Sequence, residues 1–414
     1  MKVVILSLLV CVVGLALGDY QWPSVDEIEA YRSNHVSRNI TELIQDQGYV
    51  VQQYEVTTTD GYILSIQRIP SGRKSSNVYK KPAVLLQHGL VDCSNTWANN
   101  PYNESLAFIL ADQGYDVWLG NVRGNRYSDK HTKLDRKSQE YWKFSYDEMS
   151  LDDLPSTIEF ILKETGHPQL EAYIGHSQGS VMGFACFSTN NCSTTKTYNI
   201  GEKVKTFFAL APAAFVGHVT APLFQVLAKT HFDKVLVWFG VKEFLPSTSI
   251  MRWILPNLCG GHIIKELCWS VVCALAGCDT MKDNVHHDRI PYYLDTLPAG
   301  TSMQNIAHWS QAVEFDLFKM YDYGSEKANT EKYGFPTPPE YDVSKMKVDT
   351  VLYYGGKDTL ADSDDVLFFI KKLPEKHLKE VKLLETYGHL DFVWSYKAVR
   401  DVYEHIIDYM RNKK

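Results

Sequence analysis

The chain has 414 residues, 45% apolar and 22% charged, which suits a globular enzyme of one large domain or two ordinary ones. Its formal net charge of −7, without a clustered basic patch, gives nucleic-acid binding no support.

The chain opens on a leader pattern. Lys2 is a positive n-region, residues 3–13 are apolar, and Ala16-Leu17-Gly18 has the small-x-small form of a cleavage site. Residues 1–18 are therefore expected to be a secretory signal peptide, with Asp19 as the mature start. A transmembrane anchor is the competing reading, but the apolar run ends at Leu17, short of the ~20 residues a span needs. No other stretch is long and apolar enough to span.

Residues 39–47 read as a short helix. Residues 50–58 and 62–69 read as strands joined at Asp60-Gly61, a two-residue hairpin signal. Residues 82–87 are a buried strand ending in His88-Gly89-Leu90. A helix over 104–113, closed by Gly114, leads to a strand at 115–119. Residues 147–163 have helical period, and Pro155, suited to a first turn, places the start of the main helix near Leu154. A strand at 170–174 runs into Gly175-His176-Ser177-Gln178-Gly179, a helix at 180–187 leaves it, and a strand follows at 204–210.

This alternation predicts an α/β fold, a mostly parallel sheet with helices on both faces and antiparallel strands at one edge. Between 212 and 337 the pattern is helical and apolar, with no convincing strand, and sheet pattern resumes at Val351. Residues 19–211 and 338–414 are thus read as two parts of one core. The intervening roughly 125 residues are read as an inserted cap, with a lid at about 245–280. Within it Ile263, Ile264, Leu267, Cys268, Val271, Val272 and Leu275 share a helical face. That face fits a buried cap helix or a lid that meets lipid when open, and Trp253 and Trp269 fit either.

Of eight cysteines, Cys11 leaves with the leader. Cys93, Cys186, Cys192, Cys259, Cys268, Cys273 and Cys278 remain, an odd set that implies a free thiol or an intermolecular bond. Four crowd between 259 and 278, which favours a local disulfide; their spacings do not make a zinc knuckle. Asn39, Asn103 and Asn191 head N-x-S/T sequons and are expected glycan sites.

The chemistry is carried by the pentapeptide at 175–179. G-x-S-x-G between a strand and a helix is the nucleophile elbow of the α/β-hydrolases, where the acid and then the histidine follow the serine in the chain. Asp358 follows an apolar run, 351–354, and two glycines. His389 lies in Tyr387-Gly388-His389 after the strand-like run 381–384. Both fall just past the C-terminal ends of strands, where open α/β sheets place their sites.

Ser177 is the expected nucleophile, His389 the general base and acid, and Asp358 the group that holds the imidazole. Asp362, Asp364 and Asp365 compete for the last role, but Asp362 reads as a helix cap. The backbone N–H groups of Gln178 and Leu90 are the expected oxyanion donors. His88 is read as ordering the oxyanion loop, His176 as structural, and His286-His287 as solvent-exposed; no metal site is expected.

These residues resemble the animal acid lipases, the gastric and lysosomal lipase group. The resemblance runs nearly end to end. It takes in Thr59-Asp60-Gly61-Tyr62, Gln87-His88-Gly89-Leu90, the 120–125 segment with Tyr127-Ser128, and Trp142 to Ser145 with Asp147-Glu148-Met149. It continues through the elbow, the 298–302 segment, Gln304-Asn305 with His308-Trp309, Gly355-Gly356-Lys357-Asp358 with Leu360-Ala361-Asp362, and His389-Leu390-Asp391-Phe392.

The resemblance implies an α/β-hydrolase core with a helical cap and lid, no cofactor, and hydrolysis of triacylglycerols or cholesteryl esters. It carries catalysis onto Ser177, Asp358 and His389, oxyanion donors onto Leu90 and Gln178, and a cap disulfide onto Cys259–Cys268. Cys273 and Cys278 depart from the family pattern. An acidic optimum, common in such enzymes, would require His389 to stay neutral in acid.

The expected protein is a secreted or lysosomal monomeric lipase acting on neutral lipid at a lipid–water interface, with no transmembrane anchor and no nucleic-acid partner. The alternatives are a carboxylesterase for short or soluble esters and, more remotely, a non-catalytic lipid-binding hydrolase fold.

Overall fold

The computed structural model describes residues 38–74, 80–221, 225, 241–246, 284–286 and 289–413. The expected signal peptide, nearly all of the expected lid and Cys259, Cys268, Cys273 and Cys278 lie outside the described residues.

The described strands are β1 (Gln52–Thr57), β2 (Tyr62–Ile69), β3 (Ala83–Gln87), β4 (Asp116–Leu119), β5 (Lys130–His131), β6 (Leu170–His176), β7 (Val204–Leu210), β8 (Glu243–Phe244), β9 (Thr301–Ser302), β10 (Asp349–Gly355) and β11 (Leu378–Leu384). One sheet runs β1-β2-β4-β3-β6-β7-β10-β11, with β5 paired to β2. The β1–β2 hairpin is antiparallel, with Thr57 opposite Ile63, and β2 is antiparallel to β4. From β4 to β11 every pairing is parallel. The expected α/β architecture with an antiparallel edge is therefore the observed one.

Every residue of β3, β4 and β6 is buried, as a parallel sheet covered on both faces requires. That is why these segments read as unbroken apolar runs rather than as alternations. At the opposite edge β11 alternates half-buried and exposed residues and carries Lys379 and Lys382, charges that discourage edge-to-edge pairing.

The longer helices are α1 (Ile40–Asp46), α2 (Leu106–Asp112), α3 (Leu154–Thr165), α4 (Gln178–Ser188), α5 (Ile290–Thr296), α6 (Met303–Phe315), α7 (Glu326–Tyr333), α8 (Ser363–Ile370) and α9 (Glu404–Asn412). Asn39 and Glu42 form a capping box that starts α1, and left-handed Gly166 ends α3.

The main helix starts at Leu154 with Pro155 in its first turn, as expected; the stretch before it, expected to continue the same helix, is instead a short helix, Tyr146–Glu148, then a π-helical turn at Met149–Asp153. Pro155 has no N–H to donate back along the helix, so a wider turn precedes it. Within 212–337, β8 and β9 form a two-residue antiparallel ladder where no strand was expected. Strands that short leave no periodicity to read.

One disulfide is described, Cys186–Cys192, and the sequence reading did not single it out. It ties the end of α4 to the turn that follows. The pair closes a loop with a sequence separation of 6. A loop that small implies about 2 kcal/mol of stabilisation through the unfolded chain. Cys186→Ala/Cys192→Ala is expected to lose about that much in denaturant unfolding; an unchanged midpoint would show that the bond adds nothing.

Candidate active site

The parallel strands end at one edge, and the expected site residues sit just beyond them. Leu90 follows β3, Ser177 follows β6, Asp358 follows β10 and His389 follows β11.

Ser177 stands between β6 and α4 with φ 54° and ψ −122°, a conformation few side-chain-bearing residues adopt. The flanking glycines make the turn possible. A Cβ on Gly175 would lie 2.5 Å from the carbonyl of Gly179, and a Cβ on Gly179 would approach the backbone oxygen of Gln87. The turn is held by the Ser177 N–H donating to the Leu210 carbonyl at 2.9 Å and by Ser180 Oγ donating to the Gly175 carbonyl at 2.7 Å.

The three side chains meet. His389 Nε2 is 2.7 Å from Ser177 Oγ, and His389 Nδ1 is 2.8 Å from Asp358 Oδ2. The other Asp358 oxygen accepts from the amides of Leu360 and Ala361 at 2.9 and 2.8 Å. A carboxylate so held accepts the Nδ1 proton of His389, which leaves the Nε2 lone pair facing the serine hydroxyl. All three residues are buried. Asp362 accepts from the amide of Asp364 and caps α8, as expected. Asp365 binds His218, and Asp364 is exposed, so neither approaches His389.

The expected oxyanion donors sit next to this serine in the chain and in space: Gln178 follows it, and a Cβ on Gly89, the residue before Leu90, would lie 3.0 Å from Ser177 Cβ. Among the described residues, neither the Leu90 nor the Gln178 amide donates a backbone hydrogen bond, so both are available to a ligand. His88 orders the Leu90 loop: its Nδ1 meets the Gly89 carbonyl at 2.8 Å, and its Nε2 accepts from the amide of Val122 and the side chain of Asn125. Burial pushes the His88 pKa down to about 4.

His176 Nε2 lies 2.9 Å from the backbone oxygen of His389. A carbonyl can only accept, so Nε2 carries the proton and the ring braces the base loop. Burial, and then the neighbouring His389, pull the His176 pKa down to about 3. One further tie joins the loops, Lys357 N–H donating to the Tyr387 carbonyl, and within the His389 loop Gly388 N–H donates to Asp391.

Asn39, Asn103 and Asn191 are exposed, as glycan acceptors must be. His286 bonds Glu104 at 2.7 Å with its side chain still 37% exposed, while His287 lies outside the described residues. Cys93 is a free, buried thiol. Sequence reasoning missed the side-chain partners of Gln178. Asn305 and Trp309 both donate to its amide oxygen, at 2.9 and 2.8 Å. Their spacing of four, one helical turn, was the available signal.

Asp92, two residues past Leu90, accepts from the Cys93 amide, and burial raises its pKa to about 7. The folded state thus keeps a proton that the unfolded chain releases near pH 4. The stability this contributes is full below that value and is lost as pH rises through about 7. Asp92→Asn removes the titration and keeps the acceptor. Its stability is expected to gain on wild type by on the order of 3 kcal/mol between pH 4 and pH 8 in urea unfolding; an equal difference at both pH values would contradict the assignment.

Residues 40–101 match the family described as a partial α/β-hydrolase lipase region, and residues 82–396 match the α/β-hydrolase fold. Gastric triacylglycerol lipase of Rattus norvegicus is 43% identical over 374 residues, covering 90% of this chain and 91% of its own. Lysosomal acid lipase/cholesteryl ester hydrolase of Homo sapiens is 41% identical over 413 residues, covering 99% of each chain. A solved membrane phospholipase A, described as a bacterial virulence factor, superposes with a TM-score of 0.50 at 15% identity, covering 100% of both chains, a likeness of fold alone.

Proposed function

The chain belongs to the animal acid lipase family of the α/β-hydrolases, and from that premise we propose that it hydrolyses the ester bonds of neutral lipids through a Ser177 acyl-enzyme. The observation that carries this reading is the hydrogen-bonded chain Ser177–His389–Asp358 at 2.7 and 2.8 Å.

Ser177 Oγ attacks the ester carbonyl while His389 Nε2 takes its proton. The carbonyl oxygen becomes an oxyanion facing the amides of Leu90 and Gln178. Collapse expels the alcohol, which takes the proton from His389 and leaves the acyl group on Ser177. Water, activated by the same imidazole, then releases the fatty acid. Asp358 fixes the tautomer and offsets the charge of the imidazolium.

Triacylglycerols and cholesteryl esters are the substrate class, as the names of the 43% and 41% identical relatives suggest. Secretion or lysosomal delivery by the leader at 1–18 fits the Cys186–Cys192 disulfide and the three exposed sequons. No described helix is long and apolar enough to cross a membrane. A cap at 212–337 with a Cys259–Cys268 bond, glycans on Asn39, Asn103 and Asn191, and a monomeric state complete the proposal.

The test compares emulsified long-chain triacylglycerol with a dissolved short-chain ester, using Ser177→Ala as the blank. The rate is expected to jump when substrate forms an interface, and Ser177→Ala to lower kcat by about 10⁴-fold or more. Activity confined to the dissolved ester would make the protein an esterase. Near wild-type activity in Ser177→Ala would overturn the site assignment.

A further inference from the structure

We propose that helix α6 is the positioning element of the oxyanion site, with Asn305 and Trp309 clamping Gln178 while Met303 and Ile306 seat Leu90. The inference rests on the reading of Leu90 and Gln178 as oxyanion donors and adds the element that holds them.

The Gln178 side chain is 1% exposed and fully engaged. Its oxygen accepts from Asn305 Nδ2 at 2.9 Å and from Trp309 Nε1 at 2.8 Å, and its nitrogen lies 3.2 Å from Met149 Sδ. An indole N–H can only donate, so Trp309 fixes which end of the Gln178 amide is oxygen. That in turn obliges Asn305 to present its NH₂. Both acceptor positions of the Gln178 oxygen are filled from one helix. On the same helix Met303 and Ile306 form a buried apolar pair against which Leu90 packs.

Helix α6 is itself anchored. Ser302 caps it by accepting from the Asn305 amide at 2.9 Å. His308 stacks on Tyr146, with ring centroids 3.8 Å apart, and meets Ser145 Oγ and the Lys319 carbonyl. A helix held this way touches the side chains of both donor residues, which lie 88 positions apart in the sequence. Displacement of either amide by a fraction of an ångström weakens its bond to the oxyanion, so α6 acts on the transition state and not on substrate binding.

The experiment uses the full-length protein and dissolved p-nitrophenyl butyrate, with Asn305→Asp, Trp309→Phe and the double variant. Asn305→Asp keeps the shape but turns a donor into an acceptor when ionised. At pH 8 each single variant is expected to lose about 10- to 100-fold in kcat with KM within about threefold. The double variant is expected to lose less than the product of the single losses, because both groups act on one oxygen. At pH 5 the introduced carboxyl, once protonated, can donate again. The ratio of Asn305→Asp to wild-type kcat is therefore expected to recover by about fivefold or more, whereas that of Trp309→Phe stays flat.

If Asn305→Asp does not fold, the kcat-against-KM split of Trp309→Phe decides alone. Folded variants that keep kcat within twofold of wild type, or that raise KM with kcat unchanged, would overturn the role of α6. Activity surviving in Ser177→Ala under the same assay would instead overturn the underlying site reading.

Discussion

The structure depends on one strained turn. Ser177 is held at φ 54° between the fully buried strand β6 and the helix α4 that follows it. Such a backbone costs on the order of 1–3 kcal/mol and persists only where its surroundings dictate it. Here they do. Gly175 lets β6 pack closely on α4 and Gly179 lets α4 pack closely on the end of β3, a β7 carbonyl takes the serine amide, and the Ser180 hydroxyl closes the turn from inside. The turn lifts Ser177 out of the sheet, where His389 from a distant loop reaches it.

The rest of the edge is organised to meet that serine. Parallel strands place their C-terminal loops side by side, and short cross-links set the loops in register. Lys357 to Tyr387 joins the acid loop to the base loop, and His176 to the His389 carbonyl joins the nucleophile strand to the base loop. Burial keeps the bracing imidazoles neutral: it pushes His88 down to about 4 and His176 to about 3. A second cation beside His389 would oppose the imidazolium proposed to form there, so neutral braces fit the proposed role of the residue bonded to Ser177.

Much of this was legible in the sequence, for identifiable reasons. Strands buried on both faces leave apolar runs, and tight turns leave glycines, so β3, β6, β7 and β10 fell where the pattern put them. The triad could be ordered because each member follows a strand. Asp358 could be told from Asp362 because a helix start explains the latter. Other features left no such trace. The π turn at Met149–Asp153 depends on how one proline is accommodated in three dimensions. The Cys186–Cys192 bond was overshadowed by the denser cysteine cluster downstream. The grip of Asn305 and Trp309 on Gln178 spans 127 and 131 positions; their spacing of four puts both on one helix face but does not name the partner that face meets.

The central claim is that the turn and its hydrogen-bonded partners make Ser177 nucleophilic. The most direct test treats the folded protein with a long-chain alkyl fluorophosphonate and maps the adduct by tandem mass spectrometry. The account predicts one stoichiometric adduct, on Ser177, and its loss when His389 is replaced by alanine. Modification of a different serine, or continued ester hydrolysis with no adduct on Ser177, would contradict it.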